Sequence, residues 1–531
     1  MNRLLREFTC KASSELSASN SGHSDIRLRF RSAIIIGLCM TVVGSWSWGW
    51  GTSDLRADEL ARTYRQLVEK YQRQLEELAV WCEERGLQGQ AAETRAWFHP
   101  PAGDKIYFPI IPKERGPAVP SPSLSGEEAE WQTRFFRLRR AQAGALFELA
   151  RRAVRAGRAT WAFELLLAAL RENPDDEGIR RILGFQLYQG AWRRPYELRR
   201  LRAGEIWHEK YGWIPRQHLA RYEAGLQPYQ GRWLPAAEVQ QLRQNIQNGW
   251  VVETERYRIV TNHSLEAGVK LAEELDKLYQ VWAQLFVRFY VTDAQVLALF
   301  DAQSRYSLPP LPRMLVVCFR DQEDFRRSLR NAFPMIDRVN ITGVYYGPKR
   351  AAYFFWSEPP DWTNIYHEAT HQLFAETRRM ASNAGKNQNF WVMEGAALYM
   401  ETLREENGFY VLGGWEAQRL CDARFNLISR GKHIPLDRLV SMGMDQFQSY
   451  PELGELYSQC AAVMHFLMHY DLGRYRDAAV RYLDQVYSGR DDLLTLSRLT
   501  GKTLSELDHE YQSYMRSGPE LVPLEPPAAS F

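Results

Sequence analysis

His367-Glu368-Ala369-Thr370-His371 sets two imidazoles around one carboxylate inside the stretch DWTNIYHEATHQLFAETRR. On a helix, His at i and i+4 share a face and can reach one metal ion. Imidazole nitrogens are zinc donors. Glu368 falls about a quarter-turn away, where it can take a proton from zinc-activated water. The bland reading of the same pentapeptide is an amphipathic helix with two solvated or core histidines.

Catalytic zinc takes three protein ligands and keeps one position open. The variant with its third ligand further along the same helix is excluded, because Phe374 stands where Gly would be and Thr377 where that ligand would be. A second helix is expected over Phe390-Trp391-Val392-Met393-Glu394-Gly395-Ala396-Ala397-Leu398-Tyr399-Met400-Glu401. The polar stretch from Ser382 to Asn389 can turn the chain back beside the first helix, which makes Glu394 the best third ligand. Glu401 lies about two turns further on the same face. It suits a carboxylate that holds a ligand His, or a solvated Glu at a helix end.

The pairing of HEATH with WVMEGAALYME resembles the gluzincin, or peptidase-MA-like, metallopeptidases, which include thermolysin and the membrane-alanyl-aminopeptidase type. It is also similar to a bacterial family of secreted gluzincin-like domains with helical N-terminal extensions. The resemblance covers roughly residues 250–516. It implies zinc held by His367, His371 and Glu394, Glu368 as general base, and peptide-bond hydrolysis. The aminopeptidases also carry a later Tyr that stabilises the oxyanion; Leu456-Tyr457-Ser458-Gln459-Cys460-Ala461-Ala462 is similar there, so Tyr457 inherits that role. His465 and His469 on the same apolar stretch, and His433 in a Gly-Lys-His loop, are alternatives. Their commoner use is packing. Aminopeptidase specificity is not implied: Thr342-Gly343-Val344-Tyr345-Tyr346-Gly347, which precedes the motif, has no acid to hold a free N-terminus.

Two other readings stay open. One is a catalytically inactive gluzincin-like scaffold whose helical N-terminal region binds a protein partner. The other is a metal-dependent hydrolase acting on a wall glycopeptide or an ester.

Elements must position these groups. Tyr257 to Thr261 and Met314 to Phe319 read as strands, and Val344 to Tyr346 with Tyr353 to Trp356 as a hairpin around Gly347-Pro348. Ser264 is a helix N-cap, followed by Leu271, Leu275, Leu278, Trp282 and Leu285 on one helical face. In gluzincins a strand just before the motif helix forms the edge above the zinc and pairs with an extended substrate; the resemblance places the hairpin there. The expected fold class is α+β and helix-rich: a helical, tetratricopeptide-like or bundled region, then a gluzincin-type domain with a small mixed sheet.

The chain divides accordingly. Residues 1–57 read as a leader, 58–190 as the helical region, 191–250 as an aromatic-rich connector, 251–517 as the metallopeptidase domain and 518–531 as a disordered tail. Within the helical region, residues 58–93 read as one amphipathic helix and 99–125 as a Pro/Gly/Ser-rich linker. Ala33 to Val43 is apolar behind a basic flank, and no acid lies between Ile26 and Ser53. That pattern fits a signal peptide or a signal anchor, and an extracytoplasmic location for the rest. The connector tryptophans Trp192, Trp207, Trp213, Trp233 and Trp250 suit packing, or a surface for glycan or peptide.

Net charge is +3, from 67 basic and 64 acidic residues. That small excess lies in the leader, which argues against a nucleic-acid partner. None of the six cysteines forms a CxxC pair, so a cysteine zinc site is not expected. Cys82, Cys318, Cys421 and Cys460 suit either disulfides or buried thiols.

Overall fold

The structure is a computed structural model that describes residues 51–116, 126–301, 303–304, 306–334, 336 and 342–520. The apolar run Ala33 to Val43 and most of the tail lie outside the described residues. Among those described, no helix is long and apolar enough to cross a membrane.

The chain opens with helices α1 (Gly51–Glu83) and α2 (Gln88–Trp97). The single helix expected over 58–93 is thus two, and the leader boundary at residue 57 falls inside α1. Gly86, at φ 74°, explains the break: left-handed backbone ends a helix, and glycine adopts it without strain. Strand β1 (Lys105–Pro109) follows, then a helical hairpin of α3 (Gly126–Arg155) and α4 (Ala159–Glu172). The short α5 (Glu177–Ile182) does not continue a repeat of helix pairs, so the tetratricopeptide likeness stops at that hairpin.

Residues 186–242 form three successive hairpin–helix units. These are β2 (Gln186–Tyr188), β3 (Ala191–Arg193) and α6 (Pro195–Arg202), then β4 (Glu205–His208), β5 (Gly212–Pro215) and α7 (Leu219–Glu223). The third unit is β6 (Leu226–Tyr229), β7 (Arg232–Pro235) and α8 (Ala236–Leu242). The first and third turns are both Gln-Gly with positive φ, at Gln189-Gly190 and Gln230-Gly231, the conformation that matches the twist of a two-residue hairpin. Trp192 and Trp250 are buried, and Trp207 donates to Glu273 at 3.1 Å, so these tryptophans mainly pack.

The sheet beside the site has the order β11-β12-β10-β9-β8. Its strands are β8 (Trp250–Glu253), β9 (Tyr257–Thr261), β10 (Met314–Phe319), β11 (Gly343–Tyr346) and β12 (Ala351–Phe355). The centre is parallel and both edge strands are antiparallel. Helix α9 (Leu265–Leu285) crosses from β9, with Ser264 accepting from the N–H of Ala267 at 3.0 Å. Helices α10 (Val287–Tyr290), α11 (Asp293–Phe300) and α12 (Gln322–Leu329) complete this part.

Helices α13 (Trp362–Thr377) and α14 (Phe390–Met400) carry the motif residues. Beyond them lie β13 (Arg404–Glu406), β14 (Phe409–Gly413), α15 (Gln418–Ser429), α16 (Leu436–Ser441), α17 (Met444–Gln448) and α18 (Leu453–Gly473). The last helices are α19 (Arg476–Tyr487), α20 (Thr495–Thr500) and α21 (Leu504–Arg516).

One buried apolar cluster runs from Leu60 and Ile106 through Leu166, Trp282 and Trp391 to Met515. The helical region 58–190 is therefore not a body apart from residues 251–517. Two features join them. Strand β1, inside the expected linker 99–125, pairs antiparallel with β14. Helix α4 packs on α9, α10 and α19, and its apolar residues on all sides explain why it is buried. The result is a helix-rich α+β architecture.

Candidate metal centre

Helix α13 starts where the Asp361 carboxylate accepts from the N–H of Asn364 at 3.1 Å, an N-cap. Ile365, Tyr366, Ala369, Leu373 and Phe374 form its buried face. Trp282, Phe286 and Phe289 close on Phe374 from behind, with ring centroids 4.9–5.3 Å away. His367 and His371 lie half-buried with their Nε2 atoms 3.2 Å apart.

Every residue of α14 is buried. Its first turn is anchored by Asn389, whose side-chain amide donates to Asp491 at 2.7 Å and accepts from the Tyr482 hydroxyl at 2.5 Å. Its middle lies hard against α18: a Cβ on Gly395 would stand 3.0 Å from the carbonyl oxygen of Cys460. That close approach accounts for a glycine beside Glu394. A carboxylate on an apolar buried helix is costly unless something compensates it. Glu394, 8% exposed, lies 3.6 Å from His367 Nε2 and 3.8 Å from His371 Nε2.

His367, His371 and Glu394 each offer one donor atom, all within 4.8 Å of one another, and the group can hold a metal ion. Donors at about 2.0–2.1 Å in a tetrahedron stand about 3.4 Å apart. The two imidazole nitrogens, 3.2 Å apart, lie close to that edge, and Glu394 approaches them through different carboxylate oxygens, Oε2 at 3.6 Å from His367 and Oε1 at 3.8 Å from His371. Two imidazoles and a carboxylate are a zinc-type donor set, and the residues fit the ion.

Outside the donors, Glu401 meets His367 Nδ1 at 2.8 Å, and Arg419 Nε on α15 donates to Glu401 at 2.8 Å. A proton held on Nδ1 by Glu401 leaves the Nε2 lone pair of neutral His367 facing the other donors. Without a metal, burial would lower the His367 pKa, but hydrogen bonds to Glu394 and Glu401 outweigh it and raise it to about 10. Burial, reinforced by charge on His367, holds His371 below its usual value against the pull of Glu394. Glu394 is depressed despite its burial, chiefly by His371 and His367. The cluster thus calls for positive charge, which either a proton or a metal cation satisfies.

Glu368 Oε2 accepts from the main-chain N–H of Tyr345 on β11 at 2.8 Å. Tyr457 on α18 packs edge-on against Phe447, with the Arg419 guanidinium 5.9 Å from its ring centroid. Burial raises its phenol pKa, and the charges of Glu394 and Glu368 add to the shift.

The alternative histidines are engaged elsewhere. His469 Nε2 pairs with the Tyr399 hydroxyl at 2.9 Å. His465 contacts the Asp104 carbonyl at 3.0 Å and the Tyr514 hydroxyl at 3.1 Å. His433 pairs with Asp508 at 2.8 Å. Cys82, Cys318, Cys421 and Cys460 are free thiols, not disulfides. Arg419 and the Tyr345 amide are the participants that sequence reasoning missed. Arg419 lies in an ordinary amphipathic helix, and a main-chain N–H leaves no mark in residue types. A scan of protein-family models and a search of curated proteins each gave no match to this chain.

Proposed function

We propose that this chain is a gluzincin-like, zinc-dependent metallopeptidase that hydrolyses peptide bonds. The observation that carries the reading is Glu394, a carboxylate on a wholly buried apolar helix, facing two imidazoles at 3.6 and 3.8 Å. A purely structural helix has no use for it. His367, His371 and Glu394 would hold the ion, and Glu401 with Arg419 would keep His367 in its donor tautomer.

Bound there, zinc supplies Lewis acidity toward a carbonyl and lowers the pKa of water. Glu368 takes the water proton and later passes it to the leaving amine. Tyr457 donates its phenolic hydrogen to the developing oxyanion. Strand β11, the edge strand of the sheet, borders the site, and its Tyr345 N–H is engaged by Glu368. An extracytoplasmic setting, from the apolar leader, belongs to the same proposal.

The experiment is hydrolysis of a peptide library by zinc-loaded protein, with Glu368→Ala alongside. Hydrolysis by the wild type, lost in a variant that keeps its zinc, supports the reading. Bound zinc with no cleavage of any peptide would direct the search to ester or glycopeptide substrates. Absence of zinc after reconstitution would favour the inactive scaffold.

A further inference from the structure

We propose that the main-chain N–H of Tyr345 is a positioning group for Glu368, so that edge strand β11 sets the orientation of the general base. The inference rests on the hydrolase reading above.

In an antiparallel pair, alternate residues turn their N–H and C=O toward the neighbour strand or away from it. Tyr345 stands opposite Ala352 in the register of β11 on β12. Its N–H points instead to Glu368, at 2.8 Å. The Tyr345–Ala352 pair is therefore of the non-hydrogen-bonded kind, and at this position β11 turns an otherwise unused donor outward, toward the motif helix.

Two further features hold the strand at that distance. Gly343 lies against α13: a Cβ there would meet the Asn364 side-chain nitrogen at 2.5 Å and the Phe354 ring at 2.8 Å. The Tyr345 phenol interacts with Glu376, which is itself held by Gln372 at 2.8 Å and Arg350 at 3.3 Å. Glu368, Gln372 and Glu376 are spaced i, i+4 and i+8, which places them along one face of α13. Strand and helix are thus fixed together on both sides of the amide. A glutamate with no partner explores several rotamers. One charge-assisted hydrogen bond from a fixed main-chain donor narrows that choice and leaves the second carboxylate oxygen for the water. An N–H engaged in this way is not free to bind a substrate main chain.

Proline removes this N–H, and an edge strand tolerates it where the N–H points away from the neighbour. Tyr345→Ala loses the phenol but keeps the N–H, so the comparison of the two variants isolates the amide. With zinc content equal, Tyr345→Pro is expected to lose about 10- to 100-fold in kcat relative to Tyr345→Ala, with KM little changed. A readout independent of turnover is amide exchange of Tyr345 in protein labelled with 15N-tyrosine, the signal being assigned by its absence in Tyr345→Phe. The outward edge amide should exchange slowly in the wild type and at least about tenfold faster in Glu368→Ala.

Fast exchange in the wild type, or exchange unchanged in Glu368→Ala, overturns the proposal by removing the bond. A kcat for Tyr345→Pro within about twofold of Tyr345→Ala overturns the positioning role and leaves the hydrolase reading standing. A zinc-loaded wild type that cleaves no peptide defeats the peptidase reading and, with it, the positioning role in peptide hydrolysis. In that case slow exchange would show only that the bond is structural.

Discussion

Replacing Glu401 tests how far the metal centre depends on a residue that touches no metal. Glu401 holds His367 Nδ1 at 2.8 Å and is itself 10% exposed, with Arg419 2.8 Å from its other oxygen. Removing its carboxylate in Glu401→Leu leaves a buried N–H without an acceptor, a loss of about 1–3 kcal/mol. It also frees the ring to take the wrong tautomer. Partners of this kind change metal affinity about 10- to 100-fold, which is about 1.4–2.7 kcal/mol, so the two estimates agree. Glu401→Gln keeps an acceptor but loses the charge, and should sit near the lower figure. Arg419→Ala leaves Glu401 in place and should weaken binding less, by under about tenfold. The assay is competitive zinc titration against a chromophoric chelator, with thermal melts to verify folding. An affinity for Glu401→Leu within about twofold of the wild type would refute the reasoning, because the His367 tautomer would then owe nothing to Glu401.

Three further outcomes follow from the packing around the site. Gly395→Ala forces a Cβ to 3.0 Å from the Cys460 carbonyl oxygen; it should destabilise by about 1–3 kcal/mol, visible as a lowered urea midpoint together with weaker zinc retention. Asn389→Ala removes the ties to Asp491 and Tyr482 and should lower stability by about 1–3 kcal/mol in the same assay. Burial holds the His465 imidazole down at about 4, despite its bond to the Asp104 carbonyl, and His469 moves the same way. Above pH 6.5 both states leave His465 neutral; between 6.5 and 4 only the unfolded chain takes up the proton. Stability should therefore fall through that window, by up to about 3 kcal/mol for His465. Urea midpoints from pH 7.5 to 4.5 should show a shallower decline in His465→Gln, and an unchanged slope would contradict the assignment.

The metal cluster was legible because its signal is local. His367 and His371 are one turn apart, and a helix rich in apolar residues around one Glu marks Glu394 before any fold is known. Helical spacing put Glu401 on the face of Glu394 but left its role open between holding a ligand His and a solvated helix end; the 2.8 Å contact with His367 Nδ1 decides it. The core strands Tyr257–Thr261 and Met314–Phe319 and the cap at Ser264 could likewise be read from β-branched runs and cap chemistry. Long-range pairing could not. Strand β1 sits in a Pro/Gly-rich stretch and owes its form to β14, some 300 residues away. The hairpin–helix units did carry a visible mark, the recurrence of Tyr-Gln-Gly-x-Trp at 188–192 and 229–233. The middle unit replaces the motif with a longer loop ending at Gly212, which breaks the repeat. The unity of the core was hidden for a related reason: α4 is apolar on all sides, and composition does not say which neighbour covers it.

The central claim is that His367, His371 and Glu394 together hold one zinc ion. Its most direct test is the metal content of purified wild type, Glu394→Ala and His371→Ala, after reconstitution with zinc and gel filtration. The account predicts about one zinc per wild-type chain and loss of it in both variants, with melts showing that they remain folded. A wild type without zinc, or a Glu394→Ala protein that keeps it, would contradict the account.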